Sequence, residues 1–265
     1  MSLAVRNARL DDTPVGLRVG DGRIATLGAD VEPESGDEVL DAAGMTLLPA
    51  LVNGHTHAAM TLMRGYGDDL PLREWLQHRI WPTEAKLTGD DVYWGTRLAC
   101  VEMIRSGTAR FWDMYWHPEA VARAVQDSGL RATVALPLID GMDADQSDAL
   151  RADAERTVDA LADTGPRITT SLGPHAIYTV SEKSLHWVAE LSAEHDLPVH
   201  IHLSETEGEV QTASPRTASG RLPTSTASAC SRRTRCWRTA CGSTTTSWPW
   251  WGSAARPSSQ TRCRT

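Results

Sequence analysis

The chain has few of the features that identify several common protein classes. It contains a single Phe, and only one of its five cysteines, Cys100, precedes residue 211. A lone cysteine there is typical of a reducing compartment and does not indicate a disulfide-stabilised secreted domain. The sequence shows no apolar run near the roughly 18 residues that span a bilayer, no secretory leader and no Gly-rich phosphate loop. We therefore expect a cytoplasmic protein with no membrane contact.

The last 55 residues lack much more. Residues 211–265 contain nine Arg, 21 Ser and Thr and four Cys, with no Asp, Glu, Lys or His and one aliphatic residue, Leu222. A segment without a periodic apolar face cannot bury enough surface to offset the entropy lost on ordering. Residues 1–210 differ in kind, since they carry 17 Lys and Arg against 34 Asp and Glu. Their acidic surface does not favour nucleic acid as a partner.

Three interpretations fit this tail: a basic disordered extension, a cysteine metal knuckle, or a shifted reading frame that begins near Gln211. Codons read one base out of register across residues 243–251 permit Asp-Asp-Asp-Glu-Leu-Ala-Leu-Val, and across 237–243 they permit Ala-His-Gly-Val-Trp-Leu. The shifted frame restores acidic charge and helical pattern together. We therefore predict that residues 211–265 are a frameshifted, disordered and irregular tail.

Residues 1–47 predict the N-terminal part of a small β-sandwich. Short β-like runs alternate there with Gly and Asp turns, and the Gly20-Asp21-Gly22 step is typical of a tight hairpin. A unit of this size cannot form a sufficient core alone.

From residue 48 to 210 the pattern is strand followed by helix. The predicted strands are 47–52, 108–114, 131–138, 167–172 and 197–203, and the predicted helices are 90–106, 118–128, 143–162 and 181–195. This alternation indicates parallel βαβ units. The fold class is therefore α/β, of the (β/α)8 TIM-barrel type, and the five units that we count predict a barrel truncated after about five.

Two histidine pairs stand where apolar strands end. His55 and His57 are two residues apart, so in a strand their side chains share one face. His200 and His202 repeat this spacing far along the chain. Zinc and similar ions bind neutral histidine nitrogens at about 2.0–2.1 Å, so such pairs predict half of a metal site each.

The motifs around these pairs resemble those of the amidohydrolase superfamily. Pro49-Ala50-Leu51-Val52-Asn53-Gly54-His55-Thr56-His57 is similar to the first-strand signature of that family. The resemblance continues through residues 70–76, 81–84, 106–108, 173–178 and 200–205, and it covers nearly all of residues 1–210. This ordered set is most similar to 5-methylthioadenosine/S-adenosylhomocysteine deaminases and the related chlorohydrolases.

The resemblance implies a metal-dependent hydrolytic deaminase of adenosine-like nucleosides, with metal-bound hydroxide as the nucleophile. It implies one divalent metal, most simply zinc with iron or manganese as alternatives, a small-molecule nucleoside substrate, and a homo-oligomer for the intact family form. Guanine deaminase and triazine chlorohydrolase types stay open, because the metal residues do not separate them.

The same resemblance assigns roles to individual residues. His55, His57 and His202 would be metal ligands, with His200 as the competitor of His202, and Glu205 would be the proton shuttle. Two further residues, Glu84 and His175, would bind substrate, Glu84 through ribose hydroxyls. The plain alternatives are an exposed carboxylate for Glu205, a helix-start acid for Glu84 and a structural loop histidine for His175.

Two residues of the family pattern are missing from the sequence as written. The resemblance implies a histidine on the sixth strand, which only the shifted frame supplies, and an aspartate on the eighth strand, of which there is no trace. Besides the adenosine-type deaminase and the guanine or triazine types, an inactive truncated fragment is therefore also an open hypothesis.

Overall fold

The computed structural model describes residues 2–141, 143–213 and 236–239. The chain divides into two compact units, Met1–Leu51 and Val52–Thr265. The other residues of the tail lie outside the described residues. Most of the prediction of irregular structure concerns these residues.

The first unit is a four-stranded sheet in the order β3-β2-β1-β4. Its strands are β1 (Ser2–Leu10), β2 (Thr13–Gly20), β3 (Arg23–Gly28) and β4 (Asp37–Asp41). The predicted hairpin joins β2 and β3, which pair antiparallel with Gly20 opposite Arg23. Asp21 and Gly22 both have positive φ, 50° and 71°, as the tight turn between twisted strands requires.

The second unit is built on parallel strands. The strands β5 (Leu51–Thr56), β6 (Thr108–Met114), β7 (Arg131–Ala135) and β9 (Ile168–Thr170) form a sheet in that order, and the pairings of β7 with β6 and β9 are parallel. The short strands β8 (Pro137–Leu138) and β10 (Gly173–Pro174) also pair in parallel. The next strand, β11 (Val199–His202), follows through single bridges from Leu172 and Ala176.

The prediction of irregular structure after residue 210 is wrong for two described segments. Helix α7 (Glu207–Ala213) crosses the predicted break, and β12 (Cys236–Thr239) pairs in parallel with β11. Strand pairing joins backbone N–H and C=O groups, so the unpaired edge of β11 can accept a strand whose side chains carry no apolar pattern. The described strands therefore occupy six positions in barrel order, one more than the predicted five.

Three of the four predicted helices lie within one residue of their predicted bounds, whereas the helix predicted at 143–162 begins at Ser147, after a 3-10 turn at Ala144–Gln146. The four helices are α3 (Gly89–Arg105), α4 (Pro118–Ser128), α5 (Ser147–Ala162) and α6 (Glu182–His195). Thr88 caps α3 and exchanges hydrogen bonds with Asp91 in a capping box, and Gly129 ends α4 at a φ of 76°. The Ser181 side chain accepts the Ser184 N–H and is therefore the N-cap of α6.

The first barrel strand was predicted at 47–52, but it lies at Leu51–Thr56. Pro49 has no N–H to donate to a sheet. The shift places His55 inside the strand and His57 directly after it. Several short helical segments were also missed: a 3-10 turn Ala58–Met63, α1 (Leu72–Trp75), a π-helical turn Leu76–Ile80 and α2 (Trp81–Glu84). Within the described ranges, no helix is both long and apolar enough to cross a bilayer.

The turn after His57 lies directly against α3. The Thr61 hydroxyl donates to the Gly95 carbonyl oxygen at 2.7 Å. A Cβ added at Gly95 would lie 2.6 Å from the Ala59 carbonyl oxygen and 3.0 Å from the Ala59 Cα. Gly95 therefore permits the close approach that seats the segment carrying His57.

Gly95→Ala is expected to lower the free energy of unfolding by about 1–3 kcal/mol, because backbone must move to admit the methyl group. Gly89→Ala is the matched control, since it lies on the same helix and its added Cβ meets nothing closer than 4.0 Å. Urea unfolding of the two variants measures the difference. Equal stability of the two variants would contradict the packing argument.

Candidate metal centre

The end of β5 presents two imidazoles to one point. His55 and His57 alternate with Thr56, so both rings leave the strand on the same face. Their ring centroids lie 4.8 Å apart at an interplanar angle of 87°. The opposite face carries the Thr56 side chain, which contacts β6.

His57 is held in one tautomer by the next strand. Its Nδ1 lies 2.7 Å from the Met114 carbonyl oxygen. A carbonyl oxygen only accepts, so Nδ1 carries the proton and donates it. The lone pair of His57 is then on Nε2. This is the usual way in which a second group orients a metal-binding histidine.

His55 contacts both histidines of β11. Its Nδ1 lies 2.8 Å from His200 Nε2, and its Nε2 lies 3.2 Å from His202 Nε2. Ligands at about 2.0–2.1 Å around a tetrahedral ion are separated by about 3.3 Å. The pair His55 and His202 therefore has ligand spacing, whereas His200 contacts the other nitrogen of His55.

Burial keeps these rings neutral. Burial is the main cause that lowers the pKa of His55 to about 2 and that of His202 to about 3, and neighbouring histidines lower both further. The pKa values of His175 and His200 fall to about 4 for the same reasons. Neutral imidazoles are the form that binds a metal.

The donor set fits a metal ion. His55, His57 and His202 each offer one nitrogen, and these atoms lie within 4.8 Å of one another. Three imidazole nitrogens that face one point make few hydrogen bonds to one another, and a cation would accept a lone pair from each of them.

A buried carboxylate fastens the strand that carries the pair. Asp113 Oδ1 accepts the Thr56 hydroxyl at 2.7 Å and the Ala58 N–H at 2.6 Å, on either side of His57. Asp113 is fully buried on β6, and burial raises the pKa of its carboxyl despite these bonds. Asp113 was not among the predicted site residues. The one sign of it in the sequence is an acidic residue at the otherwise apolar end of a predicted strand.

His175 and Glu205 lie beside the cluster. The His175 ring centroid is 4.9 Å from that of His202, and its Nδ1 bonds the Thr179 hydroxyl at 2.9 Å. Tyr178 connects the two residues, because its ring lies 6.1 Å from that of His175 and its hydroxyl donates to Glu205 Oε2 at 3.0 Å.

Glu84 lies next to an aromatic residue near the cluster. The Trp116 indole N–H donates to Glu84 Oε2 at 3.2 Å. The ring of Tyr115, which precedes Trp116, is 6.2 Å from that of His57, and burial, followed by the Glu84 charge, raises the pKa of its phenol. The structure thus brings the three proposed ligands and His175 together, joins Glu205 to His175 through Tyr178, and places Glu84 against Trp116.

Comparison with known proteins identifies the family of the chain. The model of the amidohydrolase family matches residues 46–239. The chain belongs to the amidohydrolase family. The family is metal-dependent, and the triad of His55, His57 and His202 offers a group of nitrogens that could hold a metal.

Two curated relatives and one solved structure illustrate the similarity. This amidohydrolase is 46% identical over 214 residues to a 5'-deoxyadenosine deaminase of Methanoregula boonei. The matched region covers 79% of this chain and 48% of the relative. It is 47% identical over 196 residues to a 5-methylthioadenosine/S-adenosylhomocysteine deaminase of Syntrophomonas wolfei, over 74% of this chain and 45% of the relative. The structure of an adenosine deaminase from Xanthomonas campestris with bound zinc superposes with a TM-score of 0.72 at 33% identity, over 84% of this chain and 53% of that one. The chain therefore spans about half the length of the curated relatives that it matches.

Asp113→Ala is expected to lower the free energy of unfolding by about 2–4 kcal/mol, because the Thr56 hydroxyl and the Ala58 N–H lose a buried acceptor. Asp113→Asn keeps Oδ1 as the acceptor for both donors, so it should cost less than half as much. Urea unfolding followed by circular dichroism measures both. An Asn variant as unstable as the Ala variant would contradict the role of Oδ1 as the acceptor that holds the strand.

Proposed function

We propose that this amidohydrolase carries the metal-binding and proton-transfer part of a hydrolytic deaminase that acts on adenosine-like nucleosides. 5-Methylthioadenosine and S-adenosylhomocysteine are the proposed substrates. The observation that carries the proposal is the convergence of three histidine nitrogens, with His175 in ring contact with His202 and Tyr178 joining His175 to Glu205. Supporting it, relatives at 46–47% identity bear names of deaminases of such nucleosides.

In this proposal the metal ligands are His55, His57 and His202, and zinc is the metal. A bound zinc ion would lower the pKa of a coordinated water towards about 7, which supplies hydroxide at neutral pH. His200 is assigned to the support of His55, because it contacts Nδ1 of that ring and not the side that faces His202.

Glu205 is proposed as the proton shuttle. Its carboxylate takes a proton from the attacking water and delivers it to the amine that leaves C6 of the purine. The Tyr178 hydroxyl bonds Oε2, which leaves Oε1 as the acceptor for that proton. A positioned acid–base group of this kind contributes roughly 10²–10⁴-fold to a rate.

His175 and Glu84 are proposed to bind the substrate. Neutral His175 has Nδ1 engaged by Thr179, so its Nε2 is the atom available to hydrogen-bond near the reaction centre. Glu84 accepts a hydrogen bond from Trp116 on one carboxylate oxygen and would accept ribose hydroxyls with its remaining capacity.

The guanine deaminase and triazine chlorohydrolase types are the alternative functions, because they require the same metal residues. The names of the curated relatives favour the adenosine type. We also propose a cytoplasmic location, a small-molecule substrate with no nucleic acid or membrane partner, and a homo-oligomer for the intact form.

We further propose that the reading frame shifts near Gln211 and that the 265-residue chain is inactive. The shifted frame places His where Arg238 now stands, within β12, which pairs beside β11 as a sixth strand would. Sequencing the gene across the codons for residues 210–212 tests this directly. A gene sequence that encodes the tail as written would overturn the frameshift.

Metal binding is the first functional test. The 265-residue chain is expected to bind about one equivalent of zinc weakly, and His55→Ala should bind none, because only two of the three nitrogens remain. His186→Ala is the control, since His186 is exposed and pairs with Glu182 on α6. Equilibrium dialysis with elemental analysis measures the stoichiometry. Unchanged zinc content in the His55 variant would refute the ligand assignment.

Ammonia release is the second test. The protein with its downstream frame restored should deaminate S-adenosylhomocysteine or methylthioadenosine, and the 265-residue chain should not. Glu205→Gln in the restored protein should keep the metal and lower turnover by roughly 10²–10⁴-fold. A variant that deaminates at the parental rate would remove Glu205 from the mechanism and make His175 the next residue to test.

A further inference from the structure

The turn between His202 and α7 is held by a glutamate that the sequence presents as one of several surface acids. Glu209 is 7% exposed. Its Oε1 accepts the Ser204 N–H at 2.9 Å and its Oε2 accepts the Glu205 N–H at 2.7 Å. Both carboxylate oxygens therefore bond consecutive backbone amides, one of which belongs to Glu205.

The backbone at this turn needs such support. Ser204 has a φ of 58°, in the left-handed region that residues other than Gly rarely occupy. The left-handed step turns the chain out of β11 immediately before Glu205. Two hydrogen bonds to the Glu209 carboxylate stabilise that conformation. The Glu209 N–H in turn donates to the Thr206 hydroxyl at 3.1 Å, which fixes the first turn of α7 against the same loop.

The side chain of Glu205 is held from the opposite end. Tyr178, on the loop that follows β10, donates its hydroxyl to Glu205 Oε2 at 3.0 Å. Backbone and carboxylate of the same residue are thus fixed by two different segments of the chain. A side chain held at both ends loses less freedom when it reaches a reactive geometry.

We propose that Glu209 is a positioning residue, which acts through Glu205 by clamping its backbone, and that Tyr178 orients the Glu205 carboxylate. The inference rests on the proposed function of Glu205 as the proton shuttle. Neither residue needs to touch substrate or metal. Their removal should therefore change turnover and leave both metal content and the KM for substrate near the parental values.

The first experiment uses the 265-residue chain. Hydrogen exchange of the Ser204 and Glu205 amides should be slow in the parent and at least tenfold faster in Glu209→Ala, because both amides lose their acceptor. Glu207→Gln is the matched control: Glu207 lies in the same first turn of α7 with an exposed side chain, so its substitution removes an equal charge at the same helix end. Unchanged exchange in Glu209→Ala would overturn the clamp.

The second experiment measures kinetics in the protein with the downstream frame restored. Glu209→Gln should lower kcat by roughly 10–10²-fold, the usual effect of a reacting group displaced by about 1 Å, with KM and zinc content unchanged. Tyr178→Phe removes only one hydroxyl and should lower kcat by about three- to tenfold, so it tests the same idea if Glu209→Gln folds poorly. The double variant Glu205→Gln/Glu209→Gln should be no slower than Glu205→Gln alone, since a positioning residue has no effect once its target is gone.

The outcomes separate the two ideas. If Glu205→Gln keeps the parental rate, the proposed shuttle fails whatever Glu209 does. If Glu205→Gln is slow while Glu209→Gln and Tyr178→Phe turn over at the parental rate, the shuttle stands and the positioning role is refuted. A double variant much slower than Glu205→Gln would likewise assign Glu209 a general structural effect and overturn its action through Glu205.

Discussion

The structure of the second unit depends on the burial of several neutral imidazoles at one point. Four of them, on β5, β11 and the loop after β10, lie at hydrogen-bonding or ring-contact distance from one another. Burial and mutual repulsion lower their pKa values, because any proton added there would be desolvated among other potential cations. A cluster of this kind is unfavourable unless its lone pairs are used. The chemistry of the site and the packing of the strands therefore follow from the same constraint.

The surrounding elements fix which nitrogen each ring presents. The Met114 carbonyl sets the tautomer of His57, and the contact of His200 with Nδ1 of His55 separates a supporting role from a ligand role. Asp113 accepts hydrogen bonds from Thr56 and Ala58, which flank His57. Gly95 allows α3 to approach the backbone of Ala59 closely. On the other side of the cluster, Tyr178 and Glu209 fix the turn that carries Glu205. Each functional side chain is thus held by a segment other than its own strand.

Much of this arrangement follows from local sequence patterns. The strand Thr108–Met114 and the helix Pro118–Ser128 were predicted with the observed bounds, because apolar periodicity and the Gly129 C-cap both point to the same limits. The first barrel strand was displaced by four residues, since the apolar run before Asn53 includes a proline that cannot pair. The histidine spacing predicted a shared face, which the structure shows for His55 and His57.

The contacts between distant segments could not be predicted in the same way. Nothing near Glu209 distinguishes it from Glu207, because its partners are backbone amides exposed by a left-handed turn at Ser204. The partners of His55 were equally hidden, since His200 and His202 lie two residues apart and therefore share one face of β11. Strand β12 shows the converse error. The side-chain composition of the tail predicted no strand, but residues of the tail pair through their backbone with β11.

The separation of the ligands along the chain has a consequence for folding. His55 and His202 lie 147 residues apart, and the strands between them must assemble before the two rings meet. Contacts of such long sequence separation carry a large loop-closure cost and form late. An ion that needs all three nitrogens can therefore bind tightly only after β11 has joined the sheet. The metal would stabilise the finished structure and slow its unfolding, without nucleating its formation.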